Sequence, residues 1–222
     1  MKKIVMLIND TTYAYNLRGA VIEKLINEKY SVVIVGQLLK HQEKLKEMGA
    51  KLIGVETGRH GKNPISDVIL MTTYKKILKQ EKPDVVLTYN IKPNVYGGMA
   101  CQQLKIPYIP NVTGLGTPVE NPGILQKLTI QLYKKGVAGA ECVFFQNSSN
   151  KAFFEEHHML KSNARTRILP GSGVDLERHP LLEWNEDKKI HFLFAARVMK
   201  EKGIDLFLAA ARKYASDNVI FD

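Results

Sequence analysis

The chain contains 222 residues, of which 45% are hydrophobic, and it carries a formal net charge of +10. No apolar run approaches the roughly 20 residues of a membrane-spanning helix, and the segment IVMLI near the N-terminus is too short for the core of a signal peptide. Cys101 and Cys142 lie in apolar segments without a CxxC or His partner, which favours reduced thiols and a cytoplasmic protein.

The positive charge is unevenly distributed along the chain. No zinc-ligand spacing, RNA-binding aromatic segment or arginine-rich helix accompanies it, so nucleic acid is not expected as a partner. An anionic membrane surface or a phosphorylated substrate suits the excess charge, although solvated helix faces would account for any single cluster. The clusters are Lys40, His41, Lys44, Lys46 and Lys51; Arg59, His60 and Lys62; and Lys127, Lys134 and Lys135.

Strands and helices alternate along the first 170 residues. Short apolar runs predict strands over residues 3–8, 31–35, 51–55, 85–88, 107–110, 142–145 and 166–169. Helices are predicted over residues 16–28, 38–48, 66–80, 93–104, 125–136 and 148–157. The first helix is expected to bury Leu17, Val21, Leu25 and Ile26. The alternation predicts an α/β fold, namely a Rossmann-like parallel sheet with right-handed crossovers and helices on both faces.

A second α/β pattern begins near the C-terminus. Residues 190–196 predict a buried strand, residues 204–214 a helix with Leu206, Phe207, Ala210 and Ala211 on its inner side, and Val219 begins another strand. One strand–helix–strand unit cannot cover both faces of a parallel sheet, so we expect a fragment, or half of an assembly completed in trans. The predicted organisation is a domain over 1–170, a linker over 171–189 and an incomplete second Rossmann-like domain over 190–222.

Candidate binding residues lie after the strands, because ligands of open parallel sheets bind at the carboxyl ends of the strands. Asn9 fits either ligand contact or the turn and cap role that is common at this position. Arg18 lies in the first turns of a helix, where the dipole disfavours a cation, and this favours a functional role. Lys92 precedes Pro93 and Asn94 at a predicted helix N-terminus, where its ammonium and free backbone N–H groups would converge on one anion.

Two other kinds of site are disfavoured. A GxGxxG fingerprint is absent after the first strand, where the chain reads NDTTYAYNLRG, and this argues against a nicotinamide dehydrogenase. His157 and His158 end a predicted helix, and since no Cys or carboxylate pattern accompanies them, a solvated cap is favoured over a metal site.

Arg197 and Lys202 form the sharper signal. Both follow a predicted strand, and Gly203 opens the next helix. A guanidinium and an ammonium beside a helix N-terminus suit a diphosphate. Such cations would stabilise the charge that grows on a leaving nucleoside diphosphate more strongly in the transition state than in the ground state.

Four segments together resemble the family 4 glycosyltransferases, enzymes of the GT-B fold with two Rossmann-like domains. FLFAARVMKEKGIDLFLAAA, over residues 192–211, resembles their nucleotide-sugar segment, and LPGSGVDLERHP, over residues 169–180, resembles their interdomain hinge. KPDVVLTYNIKPNVYGGMA and IPYIPNVTGLGT resemble a bacterial subgroup that builds capsule, O-antigen or other lipid-linked glycans. The likeness covers nearly the whole chain.

The resemblance implies a donor side and an acceptor side. Arg197 and Lys202 would contact the donor diphosphate, and Gly173 would belong to the hinge near the donor. The N-terminal loops would receive the acceptor, with Asn9, Arg18, Lys92, Asn94 and Thr113 as candidates. Thr113 stands where many members carry a His, which puts a His-mediated contact in doubt. The carboxylate pair that holds the donor sugar and ribose in the family has no counterpart before Asp222.

The resemblance also implies a retaining reaction without a protein nucleophile, an obligatory metal or another cofactor, and with a UDP-sugar as donor. The leading hypothesis is transfer of a hexose or N-acetylhexosamine to a polyprenyl-diphosphate-linked acceptor at the inner face of the cytoplasmic membrane, by a protein of which this chain is a truncated, inactive copy. The alternative is a non-catalytic acceptor-binding or membrane-docking half whose donor domain is a separate chain. A nucleotide-sugar epimerase is weaker, because its acid–base residues are not evident.

Overall fold

The computed structural model describes residues 1–56, 64–116, 119, 122–177, 179–183 and 189–222. Two compact units divide the chain, Met1–Gly173 and Val174–Asp222. The boundary falls at Gly173, inside the segment that the sequence predicts as a linker.

The first unit alternates strands and helices as the sequence predicts. Its strands are β1 (Lys3–Asp10), β2 (Ser31–Gln37), β3 (Lys51–Gly54), β4 (Val85–Tyr89), β5 (Tyr108–Val112), β6 (Val143–Phe145) and β7 (Thr166–Ile168). Its helices are α1 (Thr11–Asn27), α2 (Gln42–Glu47), α3 (Pro64–Glu81), a π-helix (Pro93–Gly97) that runs into α4 (Gly98–Leu104), α5 (Ile124–Val137) and α6 (Ser148–Glu156).

The seven strands form one sheet in the order β3-β2-β1-β4-β5-β6-β7, and every neighbouring pair is parallel. The chain first builds outward from β1 through β2 to β3 and then crosses to β4 on the other side of β1. The strand order therefore reverses between β1 and β4, and the crevice at the carboxyl ends of these two strands is where a ligand is expected to bind.

Alternate residues of β1 face opposite sides of the sheet, as the two-residue period of a strand requires. Met6 and Ile8 pack with residues of α1 and α2, whereas Val5 and Leu7 pack with residues of α3 and α4. A third cluster joins α5, α6 and β6 around the edge-to-face rings of Phe145 and Phe154. Helices thus cover both faces of the sheet, and the predicted α/β fold is confirmed.

The prediction for α1 was wrong in its start and in two of the four residues of its inner face, whereas Leu25 and Ile26 pack against the core as predicted. The helix begins at Thr11, five residues earlier than predicted, because the Asp10 carboxylate caps it by accepting the N–H of Tyr13. Its buried stripe includes Ala14, Arg18 and Ile22, spaced four residues apart. Leu17 and Val21, which were expected inside, are about 40% exposed. They lie off the buried stripe, because Arg18 occupies the inward position between Ala14 and Ile22.

Two glycines allow α4 and α5 to meet backbone to backbone. A Cβ added to Gly98 would overlap the carbonyl oxygen of Gly136, and a Cβ added to Gly136 would lie 2.6 Å from the Cα of Val95. The buried Tyr108 hydroxyl donates to the same Gly136 carbonyl at 2.7 Å. Close approach at this point fixes the spacing of the π-helix and α5.

The second unit contains β8 (Ile190–Phe192), a 3₁₀ turn (Lys200–Lys202), α7 (Ile204–Tyr214) and β9 (Val219–Phe221). β8 and β9 are parallel, and α7 and β9 have the predicted bounds. The first strand is shorter than predicted and exposed, and Leu206, expected inside α7, is 78% exposed. The second unit contains a small aromatic cluster of Phe192, Phe194, Phe207 and Phe221, in which neighbouring ring centroids lie 5.0–5.4 Å apart.

Candidate functional site

The crevice between β1 and β4 is bordered by the polar ends of these strands. The backbone N–H of Asn9 donates to the side-chain oxygen of Asn90 at 3.2 Å and so ties the two strand ends together. Asn90 adopts a left-handed conformation, with φ of 72°, which asparagine tolerates better than most residues. Asn9 is half-buried here, and its predicted contact with an acceptor stays a prediction.

Arg18 lies on the inner face of α1, beside the carboxyl end of β4. It is only 4% exposed, and its guanidinium carbon lies 4.9 Å from the centre of the Tyr89 ring, at the end of β4. One terminal nitrogen, Nη1, donates to the Ser172 hydroxyl at 3.1 Å. Within the described part of the chain, Nε and Nη2 have no hydrogen-bond partner. The structure therefore brings a buried cation to the position where the sheet topology places a ligand.

Asn94 lies beneath the crevice and not on its surface. The side chain is fully buried, accepts the Thr88 hydroxyl at 2.7 Å and donates to the backbone carbonyl of Asn111 at 3.0 Å. The buried amide thus bridges β4 and β5. Its predicted contact with an acceptor stays a prediction.

Lys92 immediately precedes the π-helix, as the sequence predicts, and its own backbone is already helical. Its predicted contact with an anion stays a prediction. Its ammonium pairs with the carboxylate of Asp67 on α3 at 3.1 Å, and the Tyr96 hydroxyl donates to the same carboxylate at 2.7 Å. Burial, followed by the bond to Asp67, raises the pKa of Tyr96 above its ordinary value. Lys92 thus joins α3 to the π-helix, its charge balanced by a carboxylate.

An apolar cleft of about 630 Å³ opens beside this ion pair. It lies between α3, the π-helix with α4, and α5, and most of its lining is aliphatic or thioether. The lining includes Val68, Met71, Val95, Met99, Leu128 and Leu132, with Lys135 at its border. A cleft of this size and character suits a hydrocarbon chain or an apolar side chain of a partner.

The rim of the cleft continues as an exposed apolar surface on α3 and α5, formed by Ile65, Val68, Ile69, Ile124, Leu125 and Leu128. Ile124 is 88% exposed. Three lysines of α5 flank this surface, namely Lys127, Lys134 and Lys135, and all are exposed. Contiguous exposed apolar groups bordered by cations are typical of an interaction site.

Thr113 and Gly173 lie at two further strand-end segments. Thr113 follows β5 and is half-buried. Gly173 has φ of 73°, a conformation that glycine adopts without strain, and stands at the boundary between the units. Their predicted roles, toward the acceptor and in a hinge, stay predictions.

Arg197 and Lys202 both lie in the second unit and are exposed. Lys202 ends the 3₁₀ turn, and Gly203, with φ of 82°, connects this turn to α7 without a side-chain cap. The two cations and the uncapped helix N-terminus are thus consecutive features of one short segment. Their contact with a donor diphosphate stays a prediction.

Several of the other basic and histidine residues have ordinary partners. His41 stacks on Tyr15, and Lys51 pairs with Glu81. His157 lies against the Phe153 carbonyl at the end of α6, as expected for a cap. Arg59, His60 and Lys62 lie outside the described residues. No group of three or more His, Cys, Asp or Glu side chains in the described ranges could hold a metal ion.

Tyr89, Asn90 and Ser172 were not among the individual candidate residues. Tyr89 and Asn90 lie in a segment after a strand, where a ligand contact is expected, but no role was assigned to either. For Ser172 the sequence carried no signal, because its approach to Arg18 depends on a tertiary contact between residues 154 positions apart.

The family model of the Glycosyl transferase 4-like proteins matches residues 3–147. The chain therefore belongs to this glycosyltransferase family, as the resemblance predicted. An N,N'-diacetylbacillosaminyl-diphospho-undecaprenol alpha-1,3-N-acetylgalactosaminyltransferase of Campylobacter jejuni is 30% identical over 216 residues, covering 89% of this chain and 56% of the relative. The chain thus spans about half the length of this relative.

Solved structures support the fold. A sucrose-phosphate synthase from Thermosynechococcus elongatus has a TM-score of 0.71 at 13% identity, covering 100% of this chain and 62% of that one. A UDP-N-acetylglucosamine 2-epimerase from Rickettsia bellii has a TM-score of 0.57 at 13% identity, with 100% and 62% coverage. At such identities the likeness concerns the fold alone. Among the described helices, none is long and apolar enough to traverse a bilayer.

Proposed function

We propose that the chain forms the acceptor side of a retaining glycosyltransferase that transfers a hexose or N-acetylhexosamine from a UDP-sugar to a polyprenyl-diphosphate-linked acceptor. The family match over residues 3–147 carries this proposal. The Campylobacter relative supports the acceptor class, since its name specifies a diphospho-undecaprenol substrate and an N-acetylgalactosaminyl group. The reaction proceeds without an obligatory metal or other cofactor.

The first unit supplies surfaces that suit such an acceptor. The apolar cleft accommodates part of a prenyl chain, and the crevice between β1 and β4 presents Arg18 to charged groups. The exposed apolar surface and the lysines of α5 favour peripheral attachment to the anionic inner face of the cytoplasmic membrane. The acceptor would be concentrated there.

The second unit supplies the beginning of a donor site. Arg197 and Lys202 bind the UDP diphosphate and stabilise the negative charge that develops as the sugar–phosphate bond breaks. Nearly half of the Campylobacter relative has no counterpart in this chain, and we propose that transfer requires residues of that half.

The proposal is tested by measuring transfer from a panel of UDP-sugars to a prenyl-diphosphate-linked sugar. The proteins compared are the 222-residue chain and a version whose second unit is completed with the corresponding residues of the Campylobacter relative. We expect transfer by the completed version and negligible transfer by the chain alone. No transfer by the completed version to any acceptor would overturn the proposed activity.

The donor residues are tested in the completed version by titration with UDP. Because each cation is expected to contact the diphosphate, Arg197→Gln and Lys202→Gln should each weaken UDP binding by roughly tenfold. Lys200→Gln is the matched control, since it removes an exposed lysine from the same 3₁₀ turn, and it should leave UDP binding unchanged. Equal binding by all three variants would contradict the donor site.

The alternative is a non-catalytic acceptor-binding half whose donor domain is a separate chain. The wide apolar cleft in the first unit is compatible with it. It predicts that transfer appears only when a second protein is added to the 222-residue chain, whereas the leading proposal predicts transfer by one completed polypeptide.

A further inference from the structure

Arg18 uses only part of its hydrogen-bonding capacity within the protein. Nη1 donates to Ser172, while Nε and Nη2 have no partner among the described residues. Nε and Nη2 share one edge of the planar guanidinium and present parallel N–H groups, and this edge matches two oxygens of an anion. The unused donors are themselves buried, and together they form a complete fork for bidentate binding.

The aromatic neighbour of this cation does not neutralise it. Burial raises the pKa of Tyr89 to about 12, although the positive charge of Arg18 acts in the opposite direction. The phenol is therefore uncharged at neutral pH, and its ring face contacts the cation from 4.9 Å. A cation that is 4% exposed has lost most of its hydration, and such a group is stabilised strongly by an opposite charge at its free edge.

Three separate elements hold the guanidinium in place. α1 supplies Arg18, the end of β4 supplies the Tyr89 ring, and the segment after β7 supplies the Ser172 hydroxyl. These elements converge at the strand-order reversal of the sheet. Arg18 is thus fixed in orientation before any ligand arrives, which reduces the entropy lost on binding.

We propose that Arg18 binds a phosphate group through Nε and Nη2 in the crevice between β1 and β4, with Tyr89 and Ser172 as positioning residues. Phosphate is the anionic group that both substrates of the proposed reaction carry, so the source of the phosphate rests on the proposed function. The source is the prenyl diphosphate of the acceptor or the nucleoside diphosphate of the donor.

The test is a titration of the 222-residue chain with inorganic pyrophosphate. Binding is measured by calorimetry and by the change in the thermal unfolding temperature. We expect saturable binding that raises the unfolding temperature. Arg18→Gln removes the fork and should weaken binding by roughly tenfold or more. Arg165→Gln is the control, since this exposed arginine pairs with Glu141 away from the crevice, and it should bind as the wild type does.

Arg18→Lys keeps the positive charge but loses the bidentate fork. It is the second variant, to be used if Arg18→Gln does not fold. It should also bind pyrophosphate roughly tenfold more weakly than the wild type. Absence of pyrophosphate binding by the wild type would overturn the proposal. Wild-type affinity in a folded Arg18→Gln or Arg18→Lys variant would overturn it as well.

A second pair of titrations assigns the source of the phosphate. Farnesyl diphosphate stands for the acceptor and UDP for the donor, and a larger loss of affinity for one of them in Arg18→Lys assigns the site to that substrate. These measurements need no transfer activity. Pyrophosphate binding that depends on Arg18 would therefore remain valid if the completed enzyme transferred no sugar.

Discussion

At the scale of single residues, Glu81 connects distant parts of the first unit. Its carboxylate lies at the end of α3 and is 9% exposed, and it pairs with Lys3 of β1 at 3.1 Å and with Lys51 of β3. The hydrogen bond from Lys51 and the contribution of Lys3 lower the pKa of Glu81, against the opposing effect of burial. One carboxylate thus ties the amino ends of two strands to a helix.

The first prediction follows from this pKa. A carboxyl group whose pKa is lowered in the folded state stabilises the protein above its unfolded pKa, near 4.3, and this stabilisation is lost as the pH falls through the folded pKa. We expect Glu81→Gln to reduce the free energy of unfolding by about 1 kcal/mol at neutral pH, and the loss should shrink below about pH 4. Urea unfolding across this pH range measures both.

The control is Glu28→Gln, which removes an exposed carboxylate paired with Lys24 one turn away on α1. Its effect should be only a few tenths of a kcal/mol. A loss in Glu81→Gln that is equal at neutral and acid pH would show that the Lys3 and Lys51 contacts are not its cause.

The residues of the candidate site were only partly predictable from the sequence. Arg18 was singled out because the helix was predicted to begin at residue 16, where a cation would oppose the dipole; since α1 begins at Thr11, Arg18 lies beyond its first turn and that argument does not hold. Its burial was not predicted, because an arginine between apolar positions reads as the exposed side of an amphipathic helix. Asn94 was placed on the acceptor side through the family resemblance, and its hydrogen bonds with Thr88 and Asn111 required the structure.

At the scale of elements, α4 and α5 test how closely two helices approach. Gly98→Ala places a methyl group against the backbone carbonyl of Gly136, which cannot move aside as a side chain would. We expect the variant to lose about 2–4 kcal/mol of unfolding free energy, the cost of overpacking a backbone contact. Chemical denaturation at neutral pH measures this loss.

Gly19→Ala is the matched control for this prediction. Gly19 lies within α1, and a Cβ there would meet no atom within 4 Å. Alanine has the higher helix propensity, so this variant should gain about 0.5–1 kcal/mol. If both variants changed stability equally, helix propensity and not the close approach would govern the position of Gly98.

The elements themselves were largely predictable, because period-two and period-3.6 patterns reflect burial on one face. Errors arose where burial was different from the pattern. The strand over 190–196 was expected to be buried from its apolar composition. Among the described residues of the second unit, Phe207 of α7 packs against Phe194, but Ile190, Phe192 and Leu193 are 50–73% exposed. The helix predicted over residues 38–48 shortens to Gln42–Glu47, because His41 adopts a left-handed conformation, with φ of 66°, and this interrupts the helix before Gln42.

At the scale of the whole molecule, the net charge and the exposed apolar surface act together in the proposed membrane attachment. Binding to vesicles with anionic lipid should exceed binding to neutral vesicles and should weaken at high salt, since the lysines of α5 contribute an electrostatic term. Ile124→Ser combined with Leu128→Ser should reduce binding several-fold, because burial of apolar area supplies the other term. Vesicle sedimentation measures both effects.

The control combines Leu181→Ser with Leu182→Ser, which removes two leucines that are 100% and 80% exposed in the second unit. This variant should sediment with anionic vesicles as the wild type does. Equal losses in the two double variants, or binding that does not respond to salt, would contradict a specific attachment surface on α3 and α5.

The fold of the whole molecule followed from the sequence because alternating strands and crossover helices permit few topologies. The strand order, and with it the crevice between β1 and β4, required the structure. The apolar cleft was not predicted at all, since its walls come from three helices whose spacing depends on the backbone contact at Gly98 and Gly136.

That contact has a consequence for how the cleft could change. The distance between α4 and α5, which form two of its walls, is set by main-chain atoms. Because these atoms are the same in every residue, substitutions of the lining side chains leave this distance unchanged. A narrower or wider ligand would therefore be accommodated by larger or smaller side chains in the lining, above all at the flexible Met71 and Met99. The backbone positions of the helices would stay the same.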